Sequence, residues 1–292
     1  MWLNLPLSVV TKLYFSIFSN FYSDEQHMPA SRKLSKLLDE DGRRYYHVLA
    51  RTIVKSSKEQ SISKIMKKYS YKIAALPGLF FEYVHKDCEM ISKGSIGVGM
   101  IALSVSLHDD LTDEYPSNAA VYVNAGDILM SEGFRIFSEE CNRSKNFSKA
   151  FGALAFHTTK MWECQQRDMI FFKRRKISKE EYFKVIAKSR EWAKIGLVPA
   201  AILCGEKTND YVKIGDRIGN IFQIIDDITE VNEDKEKYCT YFSCNLDNCG
   251  IDKMKEVARK MIDKENKSLL ELLNRSHLKN FHVRLTQTAK NI

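Results

Sequence analysis

The segment IGVGMIALSVSLHDDL, residues Ile96–Leu111, decides the fold class because its apolar side chains recur three or four positions apart. That spacing is the period of an α-helix. Ala119–Phe137, Tyr182–Leu203 and Val212–Val231 repeat the pattern. Pro199 lies inside one of these segments and predicts a kink rather than an end, because apolar residues flank it on both sides. Long apolar segments joined by short connections predict an all-α fold, a multi-helix bundle.

The composition supports long helices. The 292 residues include 13 Gly and 5 Pro, about half of what average usage gives for this length. Such scarcity excludes collagen-like, low-complexity and glycine-rich all-β chains. The net charge of +8 leaves nucleic acid, an anionic membrane face or an anionic small molecule as partners. No linker or internal repeat interrupts the chain, so residues 1–292 are predicted to form a single domain.

The N-terminal segment, residues 1–23, is apolar and aromatic but has no basic stretch before its apolar residues. It fits neither a signal peptide nor a spanning helix. Two interpretations stay open: a helix packed on the core, or a helix at a membrane interface. The seven cysteines form no C-x-x-C pattern, so neither a disulfide framework nor a zinc site is expected. We therefore predict a cytoplasmic location, with peripheral membrane contact as its variant.

Two acidic clusters, HDDLTDE at residues 108–114 and QIIDDITE at residues 223–230, lie at the ends of apolar helices. In each cluster, two carboxylates four residues apart share one helix face. Burying uncompensated carboxylates is costly, so cations are expected to neutralise them. Carboxylate-rich ligation suits Mg²⁺, which bridges protein carboxylates to substrate phosphates. The clusters predict two rims that hold a diphosphate through Mg²⁺ at the mouth of the bundle.

The order of these motifs resembles that of the trans-isoprenyl diphosphate synthases, the polyprenyl synthetase superfamily. Leu107–Asp113 resembles the first aspartate-rich motif of that family, and Phe222–Glu230 resembles the second with Glu as its last acid. Three shorter family motifs have counterparts: A-G-D-x-L at Ala125–Leu129, Q-x-x-D at Gln165–Asp168 and T-Y at Thr240–Tyr241. The resemblance implies a class I isoprenoid synthase-type helical bundle around a central cavity, two or three Mg²⁺ ions and a homodimer.

The resemblance also implies a role for each matching residue. The expected Mg²⁺ ligands are Asp109, Asp110, Asp113, Asp226, Asp227 and Glu230. Those expected to be catalytic are Asp109, Asp110, Asp113 and Asp226. The ions would stabilise the charge that develops on the leaving diphosphate of an allylic substrate. The side chains expected to bind that diphosphate, or to orient the substrate and its cation, are Gln165, Asp168, Lys188, Arg190, Gln223 and Lys235.

The chain departs from chain-elongating family members where those bind isopentenyl diphosphate. Their G-K-x-x-R-P pattern is replaced by ALPGLFF at Ala75–Phe81, and no Lys or Arg lies between Lys72 and Lys86. The Arg pair that follows their first motif is absent from Glu114–Ala119. A second diphosphate needs fixed cations to hold it. Transfer to an acceptor other than isopentenyl diphosphate is therefore predicted.

The predicted function is that of a Mg²⁺-dependent prenyltransferase. Ser104, Val105 and Ser106 lie one helical turn before the first motif, and their small size leaves room for a farnesyl-sized or longer tail. The acceptor stays open, with an anionic or a membrane-associated molecule as the candidates and no role for nucleic acid. The basic run Lys173–Lys176 is interpreted as a solvated loop.

Several other functions compete with this one. A class I terpene cyclase and a divergent chain-elongating synthase remain alternatives. The second motif keeps the synthase form rather than the N-S-E pattern of cyclases, which favours transfer. A non-catalytic subunit would have no need of intact carboxylates at both rims. A di-iron bundle would need two Glu-x-x-His motifs, and only Glu82–His85 matches.

Overall fold

The computed structural model describes residues 40–69, 73–85, 92–114, 118–171, 177–229, 231 and 240–275. These residues form eleven α-helices and one 3₁₀ turn, Ile73–Ala75, with no strand among them. The helices are α1 Glu40–Lys55, α2 Gln60–Tyr69, α3 Leu76–Val84, α4 Lys93–Glu114, α5 Ala119–Cys141, α6 Phe147–Phe171, α7 Lys179–Val185, α8 Ala187–Leu203, α9 Thr208–Thr229, α10 Tyr241–Cys249 and α11 Ile251–Leu273. The prediction of an all-α fold is confirmed.

The predicted segments match the observed helices with one exception. The segment Ile96–Leu111 lies within α4, and α8 continues through Pro199 as predicted. The segment Tyr182–Leu203, however, forms two helices, α7 and α8, which are separated at Ile186. The ψ angle of 6° at Ile186 is outside the helical range and interrupts the regular turn. Apolar periodicity continues across the break, so the sequence pattern did not reveal it.

Three helix ends meet at one end of the bundle. The C-terminal turns of α4 and α9 and the first turn of α8 all contribute side chains to one cavity there. α4 packs mainly on α5, while α8 packs on α6 and α9, and α9 also packs on α11. The buried apolar side chains of these helices form one hydrophobic core. The core therefore fixes the relative positions of the segments that carry the two acidic clusters.

α4 and α5 approach each other at a pair of glycines. A Cβ atom added to Gly97 would lie 2.6 Å from the carbonyl oxygen of Gly133, and one added to Gly133 would lie 2.7 Å from the carbonyl oxygen of Gly97. No real side chain tolerates that distance without a shift of the backbone. The two glycines thus permit the close crossing that places the end of α4 beside the cavity.

Capping boxes define the starts of α7 and α10. The Ser178 side chain accepts from the backbone N–H of Glu181, and the Glu181 side chain accepts from the backbone N–H of Ser178. Thr240 and Ser243 make the same reciprocal pair at α10. Such boxes satisfy amide groups that lack intrahelical partners. The first box also fixes the start of the short helix that carries Tyr182, a residue of the site described below.

Some predictions fall outside the described residues, namely the apolar segment 1–23 and the basic run Lys173–Lys176. Among the helices that the structure describes, none is long and apolar enough to cross a membrane. Among the described cysteines, Cys244 is disulfide-bonded, and Cys141, Cys164, Cys204 and Cys249 are free. A disulfide at Cys244 departs from the thiols that a reducing cytoplasm favours. The cytoplasmic location stays a prediction.

Gly97→Ala is expected to lower the free energy of unfolding by about 1–3 kcal/mol, because the added methyl group overpacks the α4–α5 crossing. Gly152→Ala is the matched control, since no described atom lies within 4 Å of a Cβ at that position in α6. The control is expected to raise the free energy of unfolding by up to about 1 kcal/mol, because alanine favours a helix over glycine. Urea unfolding followed by circular dichroism measures both, and equal effects would contradict the crossing argument.

Candidate active site

A cavity of about 330 Å³ lies where the ends of α4, α8 and α9 meet α6 and the 3₁₀ turn. Most of the polar residues in its wall belong to the two acidic clusters, to the Gln165–Asp168 motif or to the first turn of α8. The lining residues are Ala74, Ala102, Val105, Ser106, Asp109, Asp110, Met161, Gln165, Lys188, Ser189, Trp192, Phe222, Gln223 and Asp226. Eight of these are charged or polar and six are apolar, so the cavity has the character of a site for an amphipathic ligand.

The carboxylates of the first cluster are held by side chains from other helices. The Gln165 amide on α6 donates a hydrogen bond to the Asp109 carboxylate. The Tyr69 hydroxyl on α2 donates a hydrogen bond to the Asp110 carboxylate. Asp113 lies in the last turn of α4, and its side chain is outside the described part of the structure. Asp109 and Asp110 therefore line the cavity in fixed orientations.

Lys188 joins the first cluster to the Q-x-x-D motif. Its ammonium nitrogen lies 2.8 Å from a carboxylate oxygen of Asp168 and 3.5 Å from one of Asp109. Its side chain is 19 % exposed, so these ion pairs are partly shielded from water. The structure thus places Gln165, Asp168 and Lys188 beside Asp109.

The two aspartates of the second cluster differ in their surroundings. Asp226 lines the cavity, whereas Asp227 is buried outside the lining. The Tyr182 hydroxyl donates to Asp227 at 2.6 Å, and the Gln223 amide donates to it at 2.8 Å. Burial raises the pKa of Asp227 to about 7, although both hydrogen bonds act to lower it. Asp226 and Asp227 point about 100° apart on α9, and of the two only Asp226 lines the cavity.

Arg190 does not line the cavity. Its guanidinium donates to the Asn220 side chain at 2.6 Å and to the backbone carbonyl of Phe183. The latter bond satisfies a carbonyl in the turn before the break between α7 and α8. The role of Arg190 in binding diphosphate stays a prediction. Glu230 and Lys235 lie outside the described residues, so their predicted roles stay untested as well.

A buried charge network behind the cavity links α6, α8 and α9. His157 Nδ1 lies 2.6 Å from Glu191, and Lys194 bridges Glu191 at 2.9 Å and Asp216 at 2.7 Å. Burial acts to raise the pKa of Glu191, but the hydrogen bonds to His157 and Lys194 outweigh it and lower that pKa. The network lies on the side of α8 away from the side chains that line the cavity. It holds α8 against α6 and α9.

Sequence reasoning missed the residues that hold the motif side chains in place. Tyr69 contacts Asp110 across 41 residues of sequence, and Tyr182 contacts Asp227 across 45. Ser189 donates to the Gln223 amide oxygen from α8. Contacts at such separations leave no spacing signal in a single sequence. The capping box before Tyr182 marks the start of the helix that carries it, but it does not indicate that Tyr182 contacts Asp227.

The charges in the cavity wall are unbalanced. Three carboxylates line it, and Lys188 is the only cation among the described residues that do so. Within the described part of the chain, no group of three or more His, Cys, Asp or Glu side chains is placed to hold a metal ion. The carboxylate oxygens that α4 and α9 contribute to the wall nevertheless carry an excess of negative charge. Such oxygen donors suit Mg²⁺ better than softer metals. The residues of the wall therefore fit Mg²⁺ in donor type and charge.

Comparisons with known proteins agree with the architecture. The sequence matches the family model of polyprenyl synthetase over residues 79–240. A geranylgeranyl diphosphate synthase of Methanosarcina mazei is 28% identical over 173 residues, which are 53% of this chain and 52% of that protein. The alignment thus spans about half the length of this curated relative.

Solved structures show the same fold. A geranyltranstransferase of Thermotoga maritima has a TM-score of 0.68 at 19% identity, covering 86% of this chain and 96% of its own. An isoprenoid synthase family member of Thermotoga neapolitana has a TM-score of 0.66 at 19% identity, covering 84% and 98%. At these identities the similarity extends to the fold alone.

Mg²⁺ is expected to raise the melting temperature of the wild-type protein, because an ion that binds only the folded state stabilises it. At an Mg²⁺ concentration of 100 times the dissociation constant, the stabilisation would be about 2.7 kcal/mol. Asp109→Asn and Asp226→Asn should each remove most of this shift. Asp263→Asn, an exposed position on α11, is the control and should keep it. Differential scanning calorimetry with and without Mg²⁺ measures the shifts, and identical shifts in all four proteins would refute the metal assignment.

Proposed function

We propose, from the premise that this chain belongs to the polyprenyl synthetase family, that it is a Mg²⁺-dependent prenyltransferase. Its donor would be an allylic prenyl diphosphate of farnesyl size or longer, and its acceptor would be a molecule other than isopentenyl diphosphate. One observation carries the proposal: Asp109, Asp110 and Asp226 share a cavity with a single described cation, Lys188, above apolar walls. Such a wall suits one diphosphate held through metal ions.

Electrostatics supports the metal dependence. A diphosphate is strongly anionic, and three carboxylates in the same wall would repel it in the absence of divalent cations. Lys188 already forms ion pairs with Asp109 and Asp168, so its charge is largely compensated. Asp109, Asp110 and Asp226 would hold Mg²⁺. When bound, Mg²⁺ supplies electrostatic stabilisation of the negative charge on the departing diphosphate.

The protein side chains would position the reactants. Gln165 fixes the Asp109 carboxylate, and Gln223 is fixed in turn by Ser189 and Asp227. Lys188 would donate hydrogen bonds to the diphosphate. The C1–O bond of the donor breaks, and its electron pair leaves with the diphosphate. An electron pair of the acceptor then forms the new bond to C1, and the acceptor releases a proton to solvent.

The wall beside the cavity supports an acceptor without a diphosphate. The 3₁₀ turn and α3, residues 73–84, occupy the stretch in which chain-elongating family members carry basic residues, and here the stretch contains no Lys or Arg. Every residue of Leu76–Val84 is buried. Ala74 is the residue of this stretch that lines the cavity, so the stretch brings no cation to it that could compensate an anionic group for its lost hydration.

Chain elongation is the second candidate. Two similar proteins are named as a geranylgeranyl diphosphate synthase and a geranyltranstransferase, and these names favour elongation. A terpene cyclase, in which the cation reacts with a double bond of its own tail, has no comparable observation in its favour. Product analysis separates the three reactions.

A homodimer is part of the proposal. Phe156 and Ile170 on α6 are 56% and 57% exposed, which is unusual for large apolar side chains. They lie fourteen residues apart, close to four helical turns, and therefore on nearly the same face of α6. A second copy of the chain packed on this face would bury both.

The cytoplasmic location stays a prediction.

Incubation with Mg²⁺ and farnesyl diphosphate is expected to release diphosphate and form farnesol, with water as the acceptor when no other is supplied. Isopentenyl diphosphate should leave the rate and the products unchanged. Asp109→Ala should reduce release at least a hundredfold, while Asp263→Asn should retain it. Chromatography of the products measures the outcome. Formation of geranylgeranyl diphosphate would show elongation, and formation of a hydrocarbon would show cyclisation. Recovery of unreacted farnesyl diphosphate would contradict the proposed ionisation.

Phe156→Glu is expected to convert the dimer to a monomer, because a charge at the centre of an apolar contact is costly to bury. Val54→Glu is the control, since Val54 is 41% exposed on α1, a different helix. Light scattering coupled to size-exclusion chromatography gives the mass of each protein. A monomeric wild-type protein, or a dimer that persists in Phe156→Glu, would rule out this interface.

A further inference from the structure

The outer face of α1 carries basic side chains and, among its described residues, no exposed acidic one. Arg44, Arg51 and Lys55 are exposed and lie within about 40° of one another around the helix axis. They extend over about 16 Å along that axis. Arg43 and His47 are exposed beside them. We call these five residues the basic face of α1.

The central cations of this face, Arg44, Arg51 and Lys55, form no ion pair with any described carboxylate. Exposed basic residues elsewhere in the described structure do have such partners. Arg135 on α5 pairs with two glutamates of its own helix, and Lys260 on α11 pairs with one. The positive charge of the basic face is therefore not compensated within the described part of the chain, and it produces a local positive potential.

The buried side of α1 fixes the orientation of the basic face. Tyr45, Leu49 and Ile53 are completely buried on the opposite side of the helix. The Tyr45 hydroxyl donates to the backbone carbonyl of Ala75 in the 3₁₀ turn at 2.9 Å. Ala74, the preceding residue, lines the cavity. The helix is thus attached to the cavity wall on one side and presents its cations to solvent on the other.

We propose that the basic face of α1 docks on the surface of an anionic lipid bilayer. Lys and Arg side chains held close to anionic headgroups are attracted to them, and their contributions accumulate along a helix. Val54 lies on the same side of α1 as His47 and is 41% exposed, so the face offers an apolar side chain as well as cations. The apolar and aromatic segment 1–23 precedes α1 in the sequence, and its composition is of the kind favoured at membrane interfaces.

Nucleic acid is the competing anionic partner, and the chemistry of the face favours lipid. Recognition of single strands uses exposed aromatic rings that stack on bases, and recognition of duplexes uses amide side chains that reach base edges. The exposed residues of α1 include no Phe, Tyr, Trp, Asn or Gln. An exposed valine among cations suits a headgroup layer, which has both polar and apolar parts, better than a phosphate backbone.

Partitioning of the full chain onto vesicles tests the proposal. Vesicles of phosphatidylcholine with phosphatidylglycerol should sediment the wild-type protein at low salt, and added salt should release it, because salt screens the attraction. Vesicles of phosphatidylcholine alone should bind it much more weakly. The triple variant Arg44→Gln/Arg51→Gln/Lys55→Gln should lower the partition coefficient on anionic vesicles about a hundredfold, because each cation near the surface contributes about fivefold.

The matched control is Lys253→Gln/Lys260→Gln/Lys264→Gln, which removes three exposed cations from α11. Its partition coefficient should change by no more than about fivefold, the contribution of one cation near the surface. Circular dichroism melts verify that both variants fold. If the α1 triple variant melts below the assay temperature, Arg51→Gln alone replaces it, with a loss of about fivefold expected.

Two results on vesicles would overturn the proposal. One is equal sedimentation of the wild-type protein with anionic and neutral vesicles, and the other is an equal partition coefficient for wild type and the α1 variant. Fluorescence anisotropy with a short labelled DNA duplex separates lipid from nucleic acid. Loss of duplex binding in the α1 variant, with vesicle binding unchanged, would assign the face to nucleic acid and overturn the proposal.

The docking proposal and the proposed reaction fail in distinguishable ways. No residue of the basic face lines the cavity, so the α1 variant should release diphosphate from farnesyl diphosphate in solution at the wild-type rate. If wild type binds anionic vesicles but releases no diphosphate, the reaction is wrong and the docking face stands. If wild type releases diphosphate but does not bind anionic vesicles, the docking face is wrong and the reaction stands.

Discussion

The unbalanced charge of one cavity wall is the constraint on which the site depends. Asp109 and Asp110 lie near the C-terminal end of α4, and Asp226 lies near that of α9. Lys188 is the only cation among the described lining residues. Both carboxylate-bearing ends are C-terminal, where helix dipoles add partial negative charge. The local field therefore favours divalent cations and repels a bare anion. The apolar interior below these ends explains why the same cavity would accept a hydrocarbon tail attached to an anionic head.

The helices around the cavity are held at fixed distances by contacts that do not touch a ligand. Gly97 and Gly133 allow α4 and α5 to cross closely, so that α4 ends at the cavity. The network of His157, Glu191 and Lys194 holds α8 against α6 from behind. Since buried charges that lose one partner are costly, this network favours a single position of α8. The first turn of α8 supplies Lys188, and the next supplies Trp192.

The sequence predicted what depends on periodicity and short motifs. The helices α4 and α5 follow from the periodicity, and the approach of Asp109, Gln165, Lys188 and Asp226 to one cavity was expected from the resemblance of their motifs to those of a known family. The break at Ile186 and the burial of Asp227 against Tyr182 do not, because tertiary contacts between distant segments determine them. Trp192 carries no motif of its own. Its contacts with Ala74 and Phe222 join α8 to the 3₁₀ turn and to α9, which are distant in the sequence.

Anomalous diffraction from crystals grown with Mn²⁺ and farnesyl S-thiolodiphosphate tests the central claim most directly, since Mn²⁺ accepts the same oxygen ligands as Mg²⁺. The account predicts manganese peaks between the carboxylates of Asp109 and Asp226 and the diphosphate, with the tail among the apolar residues of the cavity. A diphosphate bound by Lys188 and other basic side chains, with no manganese between it and the carboxylates, would contradict the account.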